Sequence, residues 1–205
     1  MKKYRAGSWA LAAALAMPML GSAADSASSP GAAGAAGGVE LTDLIEKVAK
    51  RTGKQFIVDP RVRAIVPTTG IDLQKVDYGR LLAILTVHQF ASYESNGIVK
   101  IVPDAGARQL PIPVTSEIPA KTLDDEYVTV MFQARNMCAA HAVPVLRPLM
   151  PQAAHLAAFP QANALLISDH AANARRIIDM AERLDKAVPA GQKCPSEPWP
   201  VKSDK

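Results

Sequence analysis

The residues able to do chemistry are few and scattered. Four histidines stand at positions 88, 141, 155 and 170. No two have the i, i+4 spacing of a helical zinc site, and no carboxylate cluster joins them. Ser168-Asp169-His170 holds the three residue types of a nucleophile relay. Consecutive residues cannot place a base between its two partners, so the tripeptide reads as a strand end followed by a helix cap at Asp169. There is no G-x-S-x-G, P-loop or dinucleotide fingerprint, and Gly70, Gly79, Gly97 and Gly106 are isolated. The expectation is no enzyme, with no catalytic, cofactor-binding or metal-binding residue. Cys138 and Cys194 lie 56 positions apart. An intrachain bridge, two free thiols and a tail cysteine used between chains all stay open.

The elements around these residues are easier to read. Leu41, Leu44, Ile45, Val48 and Ala49 recur at the spacing of one helix face. Gly53 suits the left-handed position after that helix, and Phe56-Ile57-Val58 reads as a short buried strand ended by Asp59-Pro60. A less regular stretch follows. Asp77 can cap a second helix carrying Tyr78, Leu81, Leu82 and Leu85, with Val76 stapled against Leu81. Phe90–Tyr93 and Ile98–Val102 then flank a Ser95-Asn96-Gly97 turn, the signature of a hairpin.

Beyond a Pro-rich linker, residues 104–125, the pattern restarts. Tyr127–Gln133 alternates as a strand. Asn136 can cap a helix with Val143, Leu146 and Met150, broken by Pro144 and Pro148. His155–Phe159 and Ala164–Ser168 read as strands. Ala174, Ile177, Ile178, Ala181 and Leu184 form the apolar face of a last helix. The predicted fold class is α+β, in two small modules: 39–103, and 126–186 with the order β-α-β-β-α.

The ends read differently. Lys2, Lys3 and Arg5 precede a short apolar stretch and the small residues Gly21-Ser22-Ala23-Ala24, the pattern of a signal peptide over 1–24 cut after Ala24. No cysteine near that point suggests a lipid anchor. Residues 25–38 form a Gly/Ala/Ser-rich leader and 187–205 a Pro-rich tail, both expected to be disordered. Removing the signal peptide's three basic residues leaves 20 against 19 acidic, a net charge of +1. That balance gives no reason to expect nucleic acid as a partner.

Residues 41–62, LTDLIEKVAKRTGKQFIVDPRV, resemble the first periplasmic domain, N0, of secretins of type II secretion. Thr52, Gly53, Lys54, Phe56, Ile57, Val58, Asp59, Pro60 and Val62 carry the likeness. It continues through Leu81-Leu82-x-x-Leu85, Phe90, and Gly97-x-Val99-x-Ile101-Val102. The second module is similar to the KH-like secretin N1 domain, through Pro144–Leu149 and Asn163-Ala164-Leu165-Leu166-Ile167-x-Asp169. The chain departs from the family in three places. Gly-rich leader stands where a first strand is usual, Gln89 where glycine is favoured, and Pro67 within a usual strand. No set of alternating strands that could build a barrel is present, so pore formation is not implied.

The resemblance implies a periplasmic, non-catalytic protein-interaction module of a secretin-type secretion or pilus system. Its partners would be secretin subunits, an inner-membrane platform component or a second copy. No cofactor, nucleic acid, small-molecule substrate or membrane span in the mature chain is implied. The alternatives are a truncated secretin with little function and a signalling module like the N-terminal domain of TonB-dependent receptors. Ile98, Val99, Lys100, Ile101 and Val102 form the candidate interaction site, an apolar strand expected to lie at an open sheet edge and receive a partner strand. The other placement is an internal strand covered by the linker.

Overall fold

The computed structural model describes residues 38–67, 70, 72–190 and 194. The expected signal peptide, nearly all of the leader and most of the tail lie outside the described residues. No helix among those residues is long and apolar enough to cross a membrane.

Strand β1 (Gly38–Glu40) pairs antiparallel with β3 (Ile65–Pro67), Val39 opposite Val66. The expectation that Gly-rich leader replaces this strand is therefore corrected. Glycine is what permits the pairing: a Cβ on Gly38 would collide with the Ile65 side chain and the Val66 carbonyl. Pro67 does not interrupt β3, because it is its last residue.

Helix α1 (Leu41–Thr52) buries Leu41, Leu44, Ile45 and Val48, with Asp43 in its first turn and Lys50 and Arg51 in its last, as the dipole favours. Gly53 closes it at φ 70°, donating its N–H to the Ala49 carbonyl. Strand β2 (Gln55–Val58) follows. Its pleat sends Phe56 and Val58 toward the core and leaves Ile57 54% exposed, which corrects the expectation of a fully buried strand. Asp59 then turns the chain. Hydrogen bonds from the Arg61 guanidinium and backbone N–H hold its carboxyl down to about 2.

Helix α2 (Tyr78–Val87) starts where Asp77 accepts the Arg80 N–H at 2.8 Å, the expected cap. Strands β4 (Phe90–Ser95) and β5 (Ile98–Pro103) form the expected hairpin, with Asn96 at φ 54° and Gly97 at φ 75°. The sheet order is β2-β5-β4, with β5 parallel to β2 and antiparallel to β4.

The linker is more ordered than its prolines suggest. A 3-10 turn covers Asp104–Gln109, and β6 (Val114–Thr115) adds in parallel to β7 (Tyr127–Gln133). Arg175 fastens the remainder, donating to the Asp124 carboxylate and to the Thr122 carbonyl, both at 2.7 Å.

The second module continues with α3 (Ala139–Leu146), β8 (His155–Phe159), β9 (Ala164–His170) and α4 (Ala171–Ala187). Its sheet runs β6-β7-β9-β8. Two expected caps are corrected. Cys138, not Asn136, occupies the N-cap of α3. Strand β9 runs through to His170, so Asp169 stands one residue before the cap of α4. There its buried carboxylate accepts the His170 N–H and the Asn173 side-chain amide.

Asn136 instead belongs to a fastening at the end of α4. The buried Asp185 carboxylate accepts the N–H groups of Arg135, Asn136 and Met137 at 3.0, 2.7 and 2.8 Å. Burial opposes that charge, but the three donors together outweigh it and lower the carboxyl's pKa. Cys138 and Cys194 form a disulfide beside this loop.

Two large apolar clusters form. One joins α1, α2 and residues such as Val62, Val66 and Ile101. The other joins α3 and α4 to Leu156, Leu165 and Ile167.

Candidate protein-interaction surfaces

The strand expected to be an open edge is the middle of its sheet. Ile98–Val102 has β2 on one side and β4 on the other, with Phe56 opposite Val99 on one flank and Glu94 on the other. Val99 and Ile101 are fully buried, and the Lys100 ammonium lies 5.5 Å from the centre of the Tyr93 ring. Its ladder groups are engaged on both sides, so Ile98, Val99, Lys100, Ile101 and Val102 cannot receive a partner strand. The cover is β2, which pairs in parallel from 43 residues upstream, and not the linker.

Open strand edges lie elsewhere. Among the described residues, the two-stranded ribbon leaves one edge of each strand unpaired, so β1 and β3 both offer backbone groups. Ile65 on β3 is 66% exposed. A groove of about 500 Å³ runs on one side of it, lined by Glu40, Thr42, Arg63 and Ala64. A second, of about 630 Å³, lies between β3 and α2, lined by Val66, Pro67, Arg80, Ala83, Ile84 and Val87. Val87 is 79% exposed there. In the second module, β8 is an edge strand ending in Phe159, which is 58% exposed.

These surfaces were missed in the sequence for an identifiable reason. Three-residue strands carry no measurable alternation, and the Ile65-Val66 pair before Pro67 was the one signal available. The polar groups of the tripeptide 168–170 are held in structural contacts, although the cap expected at Asp169 falls on His170. The Ser168 hydroxyl pairs with Thr129 across the sheet at 3.0 Å, and Asp169 is spent on α4.

Residues 37–101 match the family model described as GspD-like, N0 domain. The chain carries the N-terminal domains of a type II secretion secretin. Secretin XcpQ of Pseudomonas aeruginosa is 33% identical over 150 residues, covering 72% of this chain and 22% of XcpQ. Secretin ExeD of Aeromonas salmonicida is 32% identical over 185 residues, covering 88% of this chain and 27% of ExeD. The chain thus spans about a quarter of the length of the curated secretins it matches.

Among solved structures, the Klebsiella pneumoniae type II secretion outer membrane complex of PulD, PulS and the PulC HR domain superposes at TM-score 0.62. There the identity is 29%, and the match covers 75% of this chain and 27% of the matched chain. That coverage exceeds either module alone, so the N0 and N1 modules superpose together.

Proposed function

We propose that this chain is a periplasmic, non-catalytic docking module of a type II secretion apparatus. It holds a partner protein at the β1–β3 ribbon of its N0 domain. The observation that carries the reading is the ribbon itself: two edges unpaired among the described residues, an exposed Ile65 at the start of β3 and two adjoining grooves. Such an edge binds through main-chain hydrogen bonds, with neighbouring grooves selecting side chains. The relative solved as PulD with PulS and a PulC HR domain suggests the kind of partner. That partner is an HR-type domain from the same secretion system.

The test is Ile65→Asp. It puts a charge on the exposed face of β3 while leaving the core untouched. Affinity for the cognate HR domain is expected to fall at least about tenfold, a loss near 1.4 kcal/mol. Circular dichroism should be unchanged. Wild-type affinity in a folded variant rejects the ribbon as the docking site. A second reading, self-association through the open β8 edge, is favoured by Phe159, which is exposed at the end of that edge. Phe159→Asp should then abolish concentration-dependent assembly in sedimentation.

A further inference from the structure

The N0 and N1 modules meet over a narrow contact. Tyr127, the first residue of β7, is 5% exposed and packs against Ala91 of β4 and Ala107 of the 3-10 turn, with Leu110 and Ile112 beside it. Two alanines at this point leave room for one aromatic ring. The Tyr127 hydroxyl donates to the Ser168 carbonyl at 3.3 Å, so the ring is anchored in N1 and inserted toward N0.

On each side of that ring the seam opens. One cavity, about 340 Å³, is lined by Tyr78, Tyr93 and Glu94 of N0 and by Lys121 and Glu126. The other, about 710 Å³, is lined by Gln89, Asp104, Arg108, Gln152, Asp169 and His170. Tyr127 borders both. A close-packed interface would hold the modules rigidly. One aromatic contact between two voids fixes a point and leaves rotation about it soft.

We propose that this seam is a swivelling joint, docked through Tyr127, that closes in mild acid and loosens at neutral pH. Each cavity is lined by a half-buried carboxylate, Glu126 in one and Asp104 in the other. Glu126 faces Lys54 and Glu94 of N0 and Arg175 of α4. Asp104 faces His170, and Arg108 and Asp169 line the same cavity. Burial pushes both carboxyls above their usual range; the Leu123 N–H, Lys54 and Arg175 around Glu126, and His170 and the Ala105 N–H around Asp104, offset it only in part. Docking therefore takes up protons. Its stabilisation is fully present below the ordinary carboxylate range and declines as pH rises through the raised values.

His170 also lies on the seam, with its ring edge-on to Tyr127 at 5.4 Å and its Nε2 buried without a partner among the described residues. His170→Gln therefore separates the contribution of this ring from that of the carboxylates.

The experiment places nitroxide labels at Lys50→Cys on α1 and Arg183→Cys on α4, both exposed, in the full chain with its native disulfide intact. Distances are read by double electron–electron resonance between pH 4.5 and 7.5. One narrow distribution is expected at pH 4.5, with a second or broader component appearing at pH 7.5. Asp104→Asn with Glu126→Gln should narrow the pH 7.5 distribution, and Tyr127→Ala should broaden it at both values. The same distribution at every pH overturns the joint. A pH response unchanged by the Asn/Gln pair but lost in His170→Gln overturns the carboxylate control.

Discussion

Gln89 carries a left-handed backbone at φ 62°, just past the end of α2, where its N–H reaches the Thr86 carbonyl and its own carbonyl receives the Asp104 N–H. The position needs this geometry because the chain must reverse from helix into β4 within two residues. A side chain there is strained by roughly 1–2 kcal/mol. That explains why glycine would serve better, a preference visible in the sequence only through family resemblance. Gln89→Gly removes the strain but adds freedom to the unfolded chain, which returns part of the gain. The net expectation is a stabilisation of about 0.5–1 kcal/mol, read as a higher urea midpoint with an unchanged slope. A lower midpoint would mean that the Gln89 side chain makes a contact worth more than the strain.

At the scale of elements, legibility followed locality. Helices α1 and α4 were readable because the 3.6-residue period is written within each segment, and the β4–β5 hairpin because Asn96-Gly97 specifies its own turn. Elements defined by distant partners were not. Strand β1 exists because Gly38 lets β3 approach. Strand β6 exists because β7 has an open flank, and the burial of Val99 depends on β2 arriving from Phe56. The same gap misplaced Ile57, since the apolar run Phe56-Ile57-Val58 does not say which face is inside.

The central position of β5 carries a testable consequence. Val99→Pro would remove a ladder donor and push a ring into a fully buried site. At an edge strand this change would be tolerated. Here it is expected to cost about 3 kcal/mol or more, combining an orphaned acceptor with disturbed packing. Hydrogen exchange across 41–101 should lose its protection. A variant with native protection would mean that β5 has an open edge after all.

For the molecule as a whole, the question is how far two cores joined at one tyrosine unfold together. The apolar clusters of the two modules are separate, and the shared cluster at the seam is centred on Ala91, Ala107 and Tyr127. So small an area transmits little free energy, so a perturbation confined to one module should leave the other folded. The Cys138–Cys194 bridge supplies such a perturbation. Both sulfurs lie in the second module's territory, one at the N-cap of α3 and the other just past α4, near the loop that Asp185 fastens.

Reduction should destabilise the second module by about 2–4 kcal/mol through the released chain. Hydrogen exchange with and without reductant, resolved by segment, reports both halves in one experiment. The expected outcome is lost protection over 127–187 and unchanged protection over 41–101. Equal loss in both segments would show that Tyr127 couples the cores into one cooperative unit, and the swivelling seam would then be untenable.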